Sequence, residues 1–166
     1  MSLLLKKIAM DDSEGTDANE VIDRLWMGGK PPVGPGLSRH VDCLVLSACD
    51  FQPSAEHFPD VEVLHAPMHD DHVQMWPGDK DRALNAAIQV ARWHKAGKRV
   101  LVTCWAGRNR SGFITALSLM LLKKLNPDQA VGLIRAARSE NAMRNPHFNH
   151  LLVVIYAALL TKKRQP

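Results

Sequence analysis

The chain has 166 residues, of which 46% are hydrophobic, and this size and composition suit one globular domain with a sizeable core. It carries 21 Lys and Arg against 17 Asp and Glu, a formal charge of +4, which favours anionic partners without identifying one. Three cysteines are too few for a secreted disulfide framework, and no apolar run is long enough to cross a membrane, so we expect a cytoplasmic protein.

The amino terminus and the body of the chain differ in composition. Acidic and small residues predominate at 11–19, and such a segment has too few apolar side chains to pack into a core. We therefore expect residues 1–19 to form a mobile segment and residues 20–166 to form a single domain.

Short apolar runs in the body predict strands, and apolar positions at helical spacing predict helices. The run at 28–36 is rich in glycine and proline and is interpreted as an irregular loop. Asn126-Pro127 and Asn145-Pro146 each place a capping side chain before a proline, which is typical of a helix start. The predicted strands are 21–27, 41–47, 61–65 and 99–103, and the predicted helices are 79–94, 110–122, 126–138 and 145–160. This order predicts an α/β fold with a central, mostly parallel sheet of about four to five strands, flanked by helices and covered on both sides.

The stretch 98–112 combines a buried strand, a tight polar loop and the start of a helix. Gly107 can adopt backbone conformations that other residues resist, so successive N–H groups of the loop can turn inward. The first N–H groups of the following helix add to this concave surface. The loop is therefore predicted to bind a phosphate-like dianion.

Three side chains make this loop suitable for chemistry. The thiol of Cys104 lies near a helix start and two arginines, which favours its thiolate, the nucleophilic form. Arg110 can hold two phosphoryl oxygens at once, and the hydroxyl of Ser111 is close enough in sequence to reach the sulfur. The alternative, an ordinary buried cysteine, is disfavoured because a core strand does not normally run into Arg108 and Arg110.

The run from Cys104 to Ser111 resembles the signature loop of the cysteine-dependent protein phosphatases, and the short chain resembles their dual-specificity branch. A cysteine, five further residues, an arginine and a serine occur in the spacing of that family, with a glycine at Gly107. Thr103 stands where these enzymes usually have a histidine. The resemblance implies no metal and no organic cofactor. It implies catalytic roles for Cys104, Arg110 and Ser111, and a phosphate-binding role for Trp105, Ala106, Gly107, Arg108, Asn109 and Arg110.

The resemblance also implies a general acid on a loop about thirty residues before the cysteine, commonly after a proline and an apolar residue. Pro67-Met68-His69-Asp70 fits this pattern, so Asp70 is the predicted acid and Asp71 is its competitor. The sequence Trp76-Pro77-Gly78-Asp79 echoes the Trp-Pro-Asp loop of larger tyrosine phosphatases, but Asp79 is better explained as a helix N-cap.

The same segment is rich in potential metal ligands and has a second interpretation. A metal-dependent phosphoesterase could be built on its imidazole and carboxylate groups, but the remaining histidines form no second compact motif. We therefore predict no metal site. The residues concerned are His65, His69, Asp70, Asp71 and His72.

Several other side chains have roles that the sequence leaves open. Arg108 is either a charge that favours substrates with more than one anionic group or a surface arginine paired with an acid. Trp105 is expected to pack beneath the sheet rather than to line the pocket, and Asn109 to hold the loop through local backbone bonds. Either Arg138 or Arg144 corresponds to an arginine that braces the loop in the resembled family.

Two cysteines lie outside the loop. Cys49 ends a predicted strand and could form a reversible disulfide with Cys104, as in some relatives. A buried, unreactive thiol is the default interpretation for Cys49 and for Cys43.

Three classes of function follow from these observations. The leading one is a phosphatase acting on phosphotyrosine, and on phosphoserine or phosphothreonine, in a phosphorylated protein substrate. The second is another enzyme on the same loop, an RNA 5′-triphosphatase or a phosphoinositide phosphatase, so nucleic acid is not the favoured partner but stays open. The third is a phosphate-binding module without catalysis.

Overall fold

The structure, a computed structural model, describes residues 16–162. Of the predicted mobile segment 1–19, residues 1–15 lie outside the described residues. The first strand begins at Ala18, two residues before the domain start expected at residue 20.

In this described part of the chain, five strands form one sheet with the order β1-β2-β5-β3-β4. The pair β1–β2 is antiparallel, and every other neighbouring pair is parallel, which confirms the predicted α/β fold with a mostly parallel sheet. The strands β3 and β5 are buried along their whole length because both faces of the sheet are covered. The bounds are β1 Ala18–Ile22, β2 Leu25–Gly28, β3 Cys43–Ala48, β4 Glu62–Met68 and β5 Val100–Thr103.

The segment predicted as one strand over 21–27 is a hairpin of two strands. Ile22 pairs with Leu25 across the two-residue turn Asp23-Arg24, and Arg24 has a φ of 61°. Tight hairpin turns need such positive φ values, which glycine and asparagine usually supply. No such residue marks this turn, and the prediction of a single strand was wrong for that reason.

Between residues 16 and 162, four α-helices form at nearly the predicted positions. Asn126 caps α3 as predicted, because its side chain accepts a hydrogen bond from the N–H of Gln129 and the Gln129 side chain binds back to Asn126. Asn145 Oδ1 accepts from the N–H of His147, at 3.0 Å, in the first turn of α4. Within residues 16–162, no helix has the combination of length and hydropathy required of a transmembrane segment. The bounds are α1 Asp79–Lys95, α2 Arg110–Lys123, α3 Pro127–Ala137 and α4 Pro146–Lys162.

Alternate residues of the strands enter two apolar cores, one on each face of the sheet. Val45 and Val102 belong to the larger core, to which all four α-helices contribute. Leu44 and Leu101 belong to the smaller core, which is completed by side chains such as Phe58 from irregular segments. Helices therefore cover one face, and loops with short 3-10 turns cover the other. The helix α2 is central, since 110–120 are all buried.

The parallel strands determine where polar side chains meet. Because β3, β4 and β5 run in the same direction, their carboxyl ends lie at one edge of the sheet, where ligands bind in open α/β sheets. Asp50 follows β3, Asp70 follows β4 and Cys104 follows β5.

Candidate active site

The loop 104–109 connects β5 directly to α2. Cys104 is 4% exposed, and its Sγ lies 3.2 Å from Ser111 Oγ in the first turn of the helix. The N–H of Cys104 donates to the carbonyl of Gly28, 3.2 Å away at the end of the neighbouring strand β2. The thiol is therefore held in place from both sides, with a hydroxyl in hydrogen-bonding contact with the sulfur.

Gly107 makes the turn that lets the loop fold back toward α2. Its φ is +64°, in the region that side chains disfavour. A Cβ at this position would lie 2.5 Å from the carbonyl carbon of Gly28 and 2.6 Å from the nitrogen of Gly29. Glycine is thus required both by the backbone conformation and by the close approach of the segment that follows β2.

Arg110 begins α2, and its buried guanidinium crosses to the ends of β3 and β4. Its Nη1 donates to Asp50 Oδ1 at 2.9 Å and to the Met68 carbonyl at 3.2 Å. Its Nε is buried and has no hydrogen-bond partner within the described part of the chain. An unpaired buried donor costs free energy, which an anion in the loop would recover.

Sequence reasoning missed Asp50 as a residue of this site. The available signal was its position two residues after the end of the buried strand β3, because parallel strands end at a common edge of the sheet. The adjacent Cys49 is exposed, and Arg110 Nη1 lies 3.9 Å from its Sγ. Cys49 and Cys104 are both free thiols, so the disulfide stays a prediction. Cys43 lies in the core, where burial raises the pKa of its thiol to about 11.

Asp70 lies directly beside the loop. Its Oδ2 accepts from Asn109 Nδ2 at 3.0 Å, and its Oδ1 accepts from Asn145 Nδ2 at 2.8 Å. The predicted competitor Asp71 instead turns back into its own segment, where it accepts from the N–H of Val73 at 2.7 Å. That backbone bond, followed by the bond from the Trp76 indole, lowers the pKa of the Asp71 carboxyl, which favours its charged form.

A buried carboxylate organises the rest of the acid loop, residues 69–78. Asp79 Oδ2 accepts from the N–H of His69 at 2.8 Å, and Asp79 Oδ1 accepts from Arg82. Asp79 is the first residue of α1, the N-cap is Gly78, and no side chain caps this helix. The interpretation of Asp79 as an N-cap was therefore wrong, because its carboxylate points back to the loop. Trp76 stacks on His69, with 4.2 Å between ring centroids, and closes the loop on itself.

The histidine-rich segment does not gather around one point. His65 Nδ1 is bonded to Gln52 Oε1, and His69 Nδ1 to Asp79 Oδ2. His72 Nε2 lies 3.5 Å from Asp70 Oδ1. Between residues 16 and 162, no group of three or more His, Cys, Asp or Glu side chains is arranged as a metal site.

Of the two arginines suggested as braces, Arg138 contacts the predicted phosphate-binding loop, residues 104–109, through its side chain. Its Nε donates to the Gly107 carbonyl at 3.0 Å, and its Nη1 donates to Asn19 Oδ1 at 2.8 Å. It also forms an ion pair with Asp17. Arg144 contributes its main-chain N–H, which donates to Asn109 Oδ1.

Two expectations for the loop side chains were wrong. Trp105 is 50% exposed rather than packed beneath the sheet, and the ammonium of Lys30 lies 4.5 Å from its ring centroid. Asn109 makes long-range rather than local bonds, since its Oδ1 accepts from the N–H groups of Arg144 and Asn145. Both side chains are directed by chain segments distant in sequence. Arg108 is exposed.

The sequence matches the family described as dual specificity phosphatase, catalytic domain, over residues 41–157. The chain belongs to this family. A comparison with curated protein sequences gives no match.

Solved structures of dual-specificity phosphatases share the fold. A variant of human DUSP28 is 25% identical with a TM-score of 0.75, and the match covers 88% of this chain and 98% of that chain. A mouse putative dual specificity phosphatase, complexed with zinc tungstate, is 19% identical with a TM-score of 0.71 over 95% of this chain and 96% of that chain. PTPMT1 in complex with PI(5)P is 16% identical with a TM-score of 0.73, and the match covers 88% of this chain and 98% of that chain.

The dual-specificity phosphatase loop of this chain departs from the family pattern at Thr103. The Thr103 side chain is buried, and its Oγ1 donates to the carbonyl of Val45 in β3 at 2.8 Å. Its hydroxyl is therefore bonded within the sheet, to the neighbouring strand β3.

Proposed function

We propose that this protein hydrolyses phosphotyrosine, and phosphoserine or phosphothreonine, in protein substrates through a phosphocysteine intermediate on Cys104. The observation that carries the proposal is the contact of 3.2 Å between Cys104 Sγ and Ser111 Oγ at the base of a loop closed by Gly107. The buried, unpaired Nε of Arg110 provides a donor for a phosphoryl oxygen. The thiolate must stay reduced, so a reducing compartment such as the cytoplasm suits this chemistry.

In the first step, the sulfur of Cys104 attacks phosphorus in line with the leaving group. The S–P bond forms while the P–O bond breaks, and Asp70 transfers its proton to the departing oxygen. Arg110 and the N–H groups of loop 105–110 stabilise the charge on the equatorial oxygens.

In the second step, a water molecule attacks the phosphocysteine. Asp70, now a carboxylate, accepts the proton of the water, the new P–O bond forms and the S–P bond breaks. The sulfur leaves as a thiolate, and the hydroxyl of Ser111 donates a hydrogen bond to it. The cycle returns Asp70 to its protonated form and releases inorganic phosphate.

The first test is hydrolysis of a small aryl phosphate in the presence of a chelator and a reductant. We expect Cys104→Ser to lower kcat by about 10³-fold or more, because it removes the nucleophile. We expect Asp70→Asn to lower kcat by about 10²-fold, the usual contribution of a general acid. Turnover that disappears with the chelator and survives Cys104→Ser would falsify the proposal.

A phosphoinositide phosphatase on the same loop is the second candidate, and the basic rim of the site favours it. The ammonium of Lys30 lies over Trp105, next to the cysteine, and the exposed Arg108 follows within the same loop. Two cations at the rim favour substrates with more than one anionic group. PTPMT1, one of the structural relatives, has been solved with PI(5)P.

The two candidates are separated by comparing kcat/KM for a phosphotyrosine peptide and for a short-chain phosphoinositide. For the protein phosphatase, the peptide is the better substrate, and Lys30→Ala and Arg108→Ala change its hydrolysis little. A preference for the lipid that both substitutions reduce would favour the second candidate. An RNA 5′-triphosphatase would hydrolyse a triphosphate end without dependence on Asp70, because that leaving group needs no proton.

A further inference from the structure

Both carboxylate oxygens of Asp70 are held by side-chain amides from other parts of the chain. Asn109, in the phosphate-binding loop, donates to Oδ2 at 3.0 Å. Asn145, directly before α4, donates to Oδ1 at 2.8 Å and also to the main-chain carbonyl of Asp71 at 3.1 Å. Asn145 is fully buried and Asn109 is 9% exposed.

The surroundings determine which end of each amide faces Asp70. The Oδ1 of Asn145 accepts from the N–H groups of His147 and Phe148 in the first turn of α4. The Oδ1 of Asn109 accepts from the N–H groups of Arg144 and Asn145. An amide turned the other way would place its NH₂ group against these main-chain donors, so each NH₂ must point to the carboxylate.

We propose that Asn145, together with Asn109, is a positioning residue that places Asp70 for proton transfer to the leaving group; this rests on the proposed function of Asp70. Asn109 directly precedes Arg110, so its hydrogen bond to Asp70 fixes the position of the carboxylate relative to the residue proposed to hold the phosphate. The hydrogen bond from Asn145 links the same carboxylate to the start of α4, a helix that packs on the core through Phe148. The acid is thereby located with respect to the phosphorus by two bonds rather than by the exposed loop alone.

The exposed surroundings of Asp70 explain why this restraint is needed. The neighbouring residues Val73 and Trp76 are exposed, and the imidazole of His72 is also exposed, with its Nε2 3.5 Å from Asp70 Oδ1. None of these side chains holds the carboxylate in one place. A displacement of about 1 Å at a reacting group is sufficient to cost a large factor in rate.

The test uses Asn145→Ser in the full chain. Serine caps a helix about as well as asparagine, but its hydroxyl is one bond shorter and cannot reach Asp70. The matched control is Asn126→Ser, the same substitution at the cap of α3. Rates are measured with a series of aryl phosphates whose leaving groups range from strongly to weakly acidic phenols.

We expect Asn145→Ser to lower kcat about tenfold for the poorest leaving groups, and less than about twofold for the best, because only a poor leaving group needs the proton. Asn126→Ser leaves the whole series unchanged. In an Asp70→Asn background, Asn145→Ser has little further effect, since the two residues act through one proton transfer. Asn109→Ser serves as a second variant if Asn145→Ser lowers the melting temperature strongly.

Two results would overturn the inference, and they differ from a failure of the proposed function. If Asn145→Ser lowers kcat equally for all leaving groups, Asn145 has only a structural role. The same conclusion follows if Asn145→Ser lowers kcat by the same factor in the Asp70→Asn background as in the unsubstituted protein. If Asp70→Asn itself shows no dependence on the leaving group, the assignment of Asp70 as the acid is wrong and the positioning role falls with it.

Discussion

Gly107 determines the shape of the phosphate-binding loop at the level of a single residue. Its φ is positive, and backbone atoms of Gly28 and Gly29 would lie within 2.6 Å of any Cβ at this position, which leaves no room for a side chain. The proposed chemistry at Cys104 depends on this turn, because the proposed mechanism requires the loop N–H groups to face the phosphate.

We expect Gly107→Ala to destabilise the fold and the site together. An L-residue in this left-handed region costs about 1–2 kcal/mol, and the methyl contact with the backbone adds to that cost. Such a loss lowers the melting temperature by about 2 °C or more, and kcat falls with it because the loop must shift. Thermal unfolding and aryl phosphate hydrolysis measure the two effects.

Gly132→Ala in α3 is the matched control. A Cβ there meets no atom within 4 Å, and the residue lies inside a helix. Alanine in a helix is more stable than glycine by about 0.5–1 kcal/mol, so this variant melts at the same or a higher temperature. If Gly107→Ala behaved like Gly132→Ala, the steric explanation of the loop would be wrong.

At the level of elements, an ion pair connects the start of β3 to the start of β5. Arg99 donates to Asp42 through its main-chain N–H at 2.8 Å and through its Nη2 at 2.8 Å. The side-chain bond from Arg99, followed by the backbone bond, lowers the pKa of the Asp42 carboxyl from 3.8 to about 2. This pair fixes the beginning of the strand that delivers Cys104 to the site.

Because the folded pKa of Asp42 is depressed, its contribution to stability is complete above about pH 4 and disappears as the pH falls through about 2. Both side chains are about one-third exposed, so we expect Asp42→Asn to lower the free energy of unfolding at pH 7 by no more than about 1 kcal/mol. Denaturant titrations at pH 7 and pH 2 should show this difference shrinking in acid. A difference that stays constant or grows in acid would contradict the assignment.

At the level of the whole molecule, Arg138 ties one edge of the sheet to the active site. Following the end of α3, it donates to the carbonyls of Gly107 and Ala106 and binds Asp17 and Asn19 at the β1 edge. One guanidinium thereby joins the amino-terminal strand, a helix end and the phosphate-binding loop.

We expect Arg138→Lys to weaken the loop, because an ammonium cannot reproduce the planar set of donors. The predicted result is about a tenfold fall in kcat/KM, with weaker inhibition by inorganic phosphate. Arg144→Lys is the comparison, since Arg144 serves the site through its main chain. Equal effects of the two substitutions would show that the bonds of Arg138 to the loop carbonyls do not matter for binding.

The amino-acid sequence by itself determined the fold class and the candidate loop from Cys104 to Ser111. The apolar runs of β3 and β5 are continuous because both faces of these strands are buried, and this pattern is visible in the sequence. The residues of the loop are close in sequence, so the motif is visible in the sequence, and the turn at Gly107 and the start of α2 then bring the thiol and the hydroxyl together. The hairpin at Asp23-Arg24 was missed because its turn lacks the usual residue types.

Only the tertiary structure decided which distant side chains reach the loop. The order of the strands and the packing of the helices bring three such side chains to the loop, those of Asp50, Asn145 and Arg138. A local sequence pattern carries no information about the order of strands in a sheet. The tertiary structure also distinguishes Asp70 from Asp71, although the two are adjacent in sequence. Asp70 accepts hydrogen bonds from distant side chains, whereas Asp71 accepts one from the nearby main chain of Val73. The motif of the loop is local in sequence and therefore readable from it, whereas contacts across the sheet depend on the fold as a whole.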